Sequence, residues 1–169
     1  MNITSVLAEK KEKASILKKD LWILLKYKPL WLINISDPVL SWKLIDWLKN
    51  LDAWFVIYNK DVKNEKISNN IATVWKIDNN LLSSFDFIIC DDNISNIENY
   101  TKKWITPIII KNNHFSSILN EFNPLKNEWN SFFYDKVNKW SIFYSLVRYL
   151  ENYKFSFDNK NLVKNVLDI

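Results

Sequence analysis

A chain of 169 residues without a single glycine has given up the one residue that takes positive φ freely. Average usage of about 7% would place roughly a dozen glycines in a protein of this length. The same chain carries 9 tryptophans. The two facts meet in TKKWITPIIIKNNHF, residues 101–115, where Trp104 separates a helical segment from an apolar strand. Such a junction calls for a left-handed residue, which costs little only without a Cβ. Trp22 ends a charged helical run and Trp31 opens an apolar one. Trp42 precedes a helical pattern, Trp54 and Trp75 flank short β-type runs, and Trp129 precedes Asn130 in a hairpin-like stretch. All seven stand where glycine is expected. Trp47 fits either residue, and Trp140 shares a helical face with Phe143, Leu146 and Leu150. The pattern is what UGA codons give when conventional translation writes Trp and the source organism inserts Gly, as some bacteria do. The abundance of Asn, Lys and Ile agrees with an AT-rich genome, in which GGN codons are scarce.

Other bounds narrow the function. The length suits one domain over residues 1–169 with a sizeable buried core. No run of 18 apolar residues occurs, so no transmembrane helix is expected. The N-terminus lacks the apolar stretch of a signal peptide, and a cytoplasmic location follows as the expectation. A lone Cys90 rules out a disulfide framework or a Cys-based metal site, and a lone His114 rules out a multi-histidine one. Neither a metal nor a cofactor is expected. The net charge of +4 is mild and its lysines are scattered, so neither nucleic acid nor membrane is an expected partner.

Apolar β-type runs alternate with helical patterns along the chain. Strands are predicted over 30–36, 53–59, 71–77, 86–90, 106–111 and 130–135. Helices are predicted over 8–21, 39–51, 79–85, 95–103, 115–122, 139–155 and 159–168, with Phe143, Leu146 and Leu150 of the long one turned inward. Continuous apolar strands separated by helices predict an α/β fold, a doubly wound parallel sheet of five or six strands covered on both faces. Ligands of such sheets bind at the carboxyl ends of the strands.

With the suspect Trp taken as Gly, the order of segments resembles the C-terminal domain of bacterial glycogen synthases and plant starch synthases. KKWITPIII is similar to their YG-x-x-P-I-V strand, HFSSILNEFNP to the helix that follows, and EWNSFFYD to the N-G-F-x-F strand. EKKEKASILKKDLWI resembles their NK-x-x-LQ-x-ELGL helix, and PLWLINIS their PLIGFISRL strand. The likeness runs over about residues 8–168. It implies the Rossmann-like half of a GT-B glycosyltransferase, which in the family carries the nucleotide sugar and transfers glucose from ADP-glucose. ADP or ADP-glucose is then the implied ligand. A separately encoded N-terminal half is the implied partner, because the acceptor domain would precede Met1.

Three departures bear on activity. The family grips the diphosphate with Arg and Lys in RL-x-x-QKG, where this chain has ISDPVLSWK, with Asp37 near the Arg and Lys43 displaced by one place. Its E-P-C-G loop is replaced by DDNISNIEN, and its GG turn by NNHF. Loss of one such donor typically lowers the rate by about 10² to 10³. The isolated chain is therefore expected to be inactive. A non-catalytic nucleotide- or glucan-binding module that keeps the fold is the alternative. Candidate donor-site residues are Lys43, Asp91, Asp92, Asn93, Asn112, Asn113 and His114, all at the expected carboxyl edge. Each also has a plainer reading: Lys43 as an exposed helix lysine, the 91–93 run as an Asx turn and cap, and His114 as a hydrogen-bonding cap.

Overall fold

Short apolar runs, each too brief to bury itself as a helix, assemble side by side into one sheet. The computed structural model describes residues 3–21, 29–111, 114–115, 117–167 and 169. The strands are β1 (Leu30–Asn34), β2 (Trp54–Tyr58), β3 (Glu65–Lys66), β4 (Ile71–Val74), β5 (Phe87–Cys90), β6 (Thr106–Ile110) and β7 (Phe132–Tyr134). Their order in the sheet is β3-β4-β2-β1-β5-β6-β7. All neighbours are parallel except the β3–β4 pair. The sheet thus has one strand more than expected, since the exposed, charged Glu65–Lys66 edge gives no apolar signal.

The helices are α1 (Ile3–Asp20), α2 (Pro38–Leu48), α3 (Asn79–Leu82), α4 (Glu98–Thr101), α5 (Lys139–Tyr153) and α6 (Ser156–Leu167). Strand alternation splits the core in two. Trp31, Ile33, Phe55, Ile57, Phe87 and Ile89 pack on one side with Leu44 and Leu48 of α2, Ile142, Leu146 and Tyr149 of α5, and Leu162 and Val166 of α6. Leu30, Leu32, Trp54, Val56, Ile88 and Cys90 pack on the other, with Leu17 of α1 and Leu82 of α3. Both faces are dry, which is why the strands read as continuous apolar runs.

Three expectations need correction. The helix expected over 115–122 does not form among the described residues: 115 and 117–118 turn, and Glu121 makes an isolated parallel bridge to Ser131. On α5, Leu146 is buried and Leu150 packs partly buried against the core as expected, but Ile142 and Tyr149 fill the core while Phe143 turns to Trp47, with ring centroids 4.9 Å apart. Among the tryptophans, Trp104 alone has positive φ within the described residues, at 59°, and Trp22 lies outside them. Trp31 sits in a strand at the centre of the core, against Phe55, Phe87 and Tyr149, where its bulk is used.

One charged side chain of α1 is built into the core. The Lys10 ammonium is buried and donates to the carbonyls of Ser83 and Phe85. Asp86, partly buried nearby, accepts the Leu30 N–H at 2.8 Å. Desolvation lowers the Lys10 pKa to about 8, and Asp86 partly opposes that shift. Burial raises the Asp86 pKa, with Lys10 pulling it back.

Candidate functional site

The chain leaves β1 through α2 toward β2 on one side, and later fills β5, β6 and β7 on the other. The strand order therefore reverses between β1 and β5. At such a switch point the loops part and leave a crevice at the carboxyl ends, the usual ligand position in this architecture.

The two loops bordering that crevice are joined. Asp91, following β5 and only 6% exposed, accepts from the Ser36 N–H at 2.8 Å and from the Ser36 hydroxyl. Asn93 closes the arrangement: its amide donates to Ser36 Oγ at 2.8 Å and its backbone N–H to Asp91 Oδ1 at 3.3 Å. Asp91 is thus fully used in positioning the crevice floor. Asp92 faces outward and meets His114 Nδ1 at 3.2 Å, with both side chains about half exposed. That contact ties the loop after β5 to the stretch after β6.

Lys43 is exposed and stands in the second turn of α2. The helix begins at Pro38, so Ser41-Trp42-Lys43 does not open it. Its free N–H groups belong to Asp37, whose side chain accepts from Val39 at 2.8 Å and Leu40 at 3.2 Å. A carboxylate therefore already holds the end where a diphosphate would be drawn by the helix dipole. Asn112 and Asn113 lie outside the described residues. Among the described residues, no group of three or more His, Cys, Asp or Glu is placed to hold a metal, and no helix is long and apolar enough to cross a membrane.

Sequence reasoning missed a pocket beside the crevice. Asn34 and Tyr58, the last residues of β1 and β2, line a cavity of about 340 Å³ with Tyr100, Lys76 and Asn79 over a floor that includes Leu32 and Leu82. Asn34 Nδ2 donates to the Tyr100 hydroxyl at 3.5 Å. Burial raises the Tyr100 pKa, so that hydroxyl stays protonated at neutral pH. Two phenol rings, two amides and one ammonium over an apolar floor suit a flat heteroaromatic ring bearing polar edges. The available signal was a polar or amphipathic residue closing each of two otherwise apolar strands.

Comparisons with known proteins bear on the fold. No protein-family model matches the chain, and no curated protein sequence matches it. Among solved structures, it is similar to the catalytic domain of starch synthase IV from Arabidopsis thaliana, described as bound to ADP and acarbose. That similarity covers 100% of this chain and 40% of that one, with 17% identity and a TM-score of 0.74. The glycosyltransferase SnogD from Streptomyces nogalater matches 86% of this chain over 40% of its own, at 13% identity and a TM-score of 0.56. The spinosyn forosaminyltransferase SpnP matches 83% over 40%, at 15% identity and 0.53. The chain thus spans about two fifths of the length of each. Its fold is that of the Rossmann-like half of GT-B glycosyltransferases.

Proposed function

We propose that this chain is the nucleotide-sugar-binding half of a glycosyltransferase of the glycogen/starch synthase kind, working at the crevice between β1 and β5. The observation that carries the reading is the pocket of Asn34, Tyr58 and Tyr100 opening beside that crevice, in a domain whose fold matches a starch synthase along its whole length. In this reading the adenine ring of ADP or ADP-glucose enters the tyrosine pocket and the diphosphate lies over the 91–93 turn. Lys43, His114 and the Asn112–Asn113 stretch border it, and Asp91 positions the loops. Residues 1–169 form one domain, a second half supplies the acceptor site, and the whole acts in the cytoplasm.

Three carboxylates, Asp37, Asp91 and Asp92, stand where charge develops on a departing diphosphate, and repulsion there opposes transfer. The chain by itself is therefore proposed to bind ADP weakly and to transfer no glucose. Titrating ADP by calorimetry into the chain and into Tyr58→Ala tests this. ADP binding that Tyr58→Ala weakens supports a surviving donor site. No saturable ADP binding favours a module that has kept only the fold, and glucan elongation by the chain alone would overturn the proposed inactivity.

We also propose that Trp104 is glycine in the native protein, through a recoded UGA. Support comes from its positive φ and from a buried indole N–H with no partner, a combination a larger side chain makes costly and glycine does not. Mass spectrometry of the peptide spanning residue 104 from the native source decides between the two residues.

A further inference from the structure

A second cleft, of about 340 Å³, opens at the carboxyl ends of β6 and β7, two strands beyond the switch point. We infer that it binds an uncharged pyranose, such as one unit of a glucan chain, with Tyr144 as its stacking platform and Arg148 and Asp135 as its hydroxyl partners.

The side chains are arranged for such a ligand. Tyr144, in the middle of α5, is 67% exposed although it is a large aromatic residue. Its ring lies 5.9 Å from the Arg148 guanidinium, which also stands 5.7 Å from the Phe132 ring. Arg148 donates to Glu121 Oε1 at 2.8 Å, and Glu121 Oε2 accepts the Phe133 N–H at 2.5 Å. Glu121 is thereby spent, and it fixes Arg148 in place. A guanidinium has five N–H donors, so Arg148 keeps donors for a ligand. Asp135 and Lys111 complete the lining with an acceptor and a donor.

Charge decides the ligand class. Lys111 and Arg148 are balanced by Glu121 and Asp135, so the cleft offers no net attraction to a phosphate and no net attraction to a cation. A pyranose has an apolar C–H face for the tyrosine ring and hydroxyls that both donate and accept, which a balanced set of this kind satisfies. The preference for an uncharged sugar rests on the cleft. The choice of a glucose oligomer as probe rests on the transferase reading above.

Saturation-transfer NMR with maltotriose tests the assignment, with ADP titrated in parallel. Maltotriose should bind with a Kd of about 1 mM, and Tyr144→Ala should weaken it about tenfold. Asp135→Asn should weaken it less. Because Tyr144 is exposed, the alanine variant should unfold in urea like the parent, so lost binding cannot be lost folding. Undetectable maltotriose binding, binding unchanged by Tyr144→Ala, or displacement by inorganic phosphate each overturns the assignment. ADP binding without maltotriose binding leaves the transferase reading standing and removes this one. Maltotriose binding without ADP binding does the reverse.

Discussion

Asp91 and Ser36 are joined twice across the crevice, through the Ser36 backbone N–H at 2.8 Å and through its hydroxyl. The two residues are 55 positions apart in sequence and follow adjacent strands. The bond therefore sets the spacing of the loops that any crevice ligand must meet. Ser36 is exposed and Asp91 buried, so replacing Asp91 by Ala loses hydrogen bonds to a charged acceptor without stranding a buried donor, at a cost of about 1–3 kcal/mol. We predict a loss of that size for Asp91→Ala in urea denaturation at pH 7. Asp91→Asn, which keeps one carbonyl acceptor, should lose less. Equal losses would mean that the charge, and not the acceptor geometry, holds the loops.

The buried Lys10 should leave a mark on the pH dependence of stability. Its pKa is lowered to about 8 by desolvation, so above that value the folded state has released a proton that the unfolded chain still holds. More protons on the unfolded state means that stability rises with pH. Lys18 is shifted in the same direction, by the same cause. Cys90, Tyr134 and Tyr149 are pushed upward by burial and act oppositely once the unfolded thiol and phenols begin to ionise. The lysine's window opens at about pH 8, and because an unfolded cysteine ionises at about 8.5 the comparison over pH 8 to 9 is made in a Cys90→Ala background. Stability should rise there by at most about 1.4 kcal/mol, the limit for one proton over one pH unit. Lys10→Met should abolish most of the rise. An identical pH slope in parent and variant, measured by denaturant midpoints, would rule out Lys10 as its source.

The tryptophans divide by backbone geometry. Trp104, at φ 59°, carries the left-handed strain of roughly 1–2 kcal/mol that a Cβ imposes. It also buries an unpaired indole N–H, although its ring packs with Val6 and Val163. Gains and losses on Trp104→Gly are then of similar size, and the melting temperature should change little or rise. Trp31→Gly removes a fully buried ring from between Phe55, Phe87 and Tyr149. Large-to-small changes of this kind cost about 3–5 kcal/mol, so this variant should melt far lower. Similar melting temperatures for the two variants would remove backbone strain as the distinction between these positions.

The sheet was legible because each interior strand is dry on both faces, and runs such as LWLIN, WFVIY and TPIII carry that burial in composition alone. The strand order, and with it the switch point, came only from the structure. Asp91, Asp92, Asn93 and His114 could be assigned to the carboxyl edge because they follow such runs. What they do there was not legible. The tie between Asp91 and Ser36, like that between Arg148 and Glu121, joins residues distant in sequence, and no local pattern records it. The missing helix over 115–122 shows the same limit: SSILNEF has helical spacing, but Glu121 and Phe122 engage Ser131 and Phe133 instead. Tertiary pairing overrode a weak propensity.

The charge at the head of α2 gives the sharpest test of the donor site. Asp37 caps the helix through Val39 and Leu40, so its carboxylate occupies the amides that would otherwise favour a phosphate. Serine caps a helix nearly as well as aspartate and carries no charge. Asp37→Ser should therefore keep the fold while removing one repulsive charge from the crevice. At about 4 Å, one unit of charge on a diphosphate is worth about 1 kcal/mol in a water-like medium. ADP binding should then tighten about fivefold at low salt, and the gain should shrink as ionic strength shortens the screening length. Lys43→Ala, in the second turn of the helix and exposed, should weaken ADP less than Asp37→Ser strengthens it. Calorimetric titrations at two salt concentrations give both numbers. Unchanged ADP affinity in Asp37→Ser would mean that the diphosphate does not lie over the β1 loop, and the donor site would have to be sought elsewhere on the sheet edge.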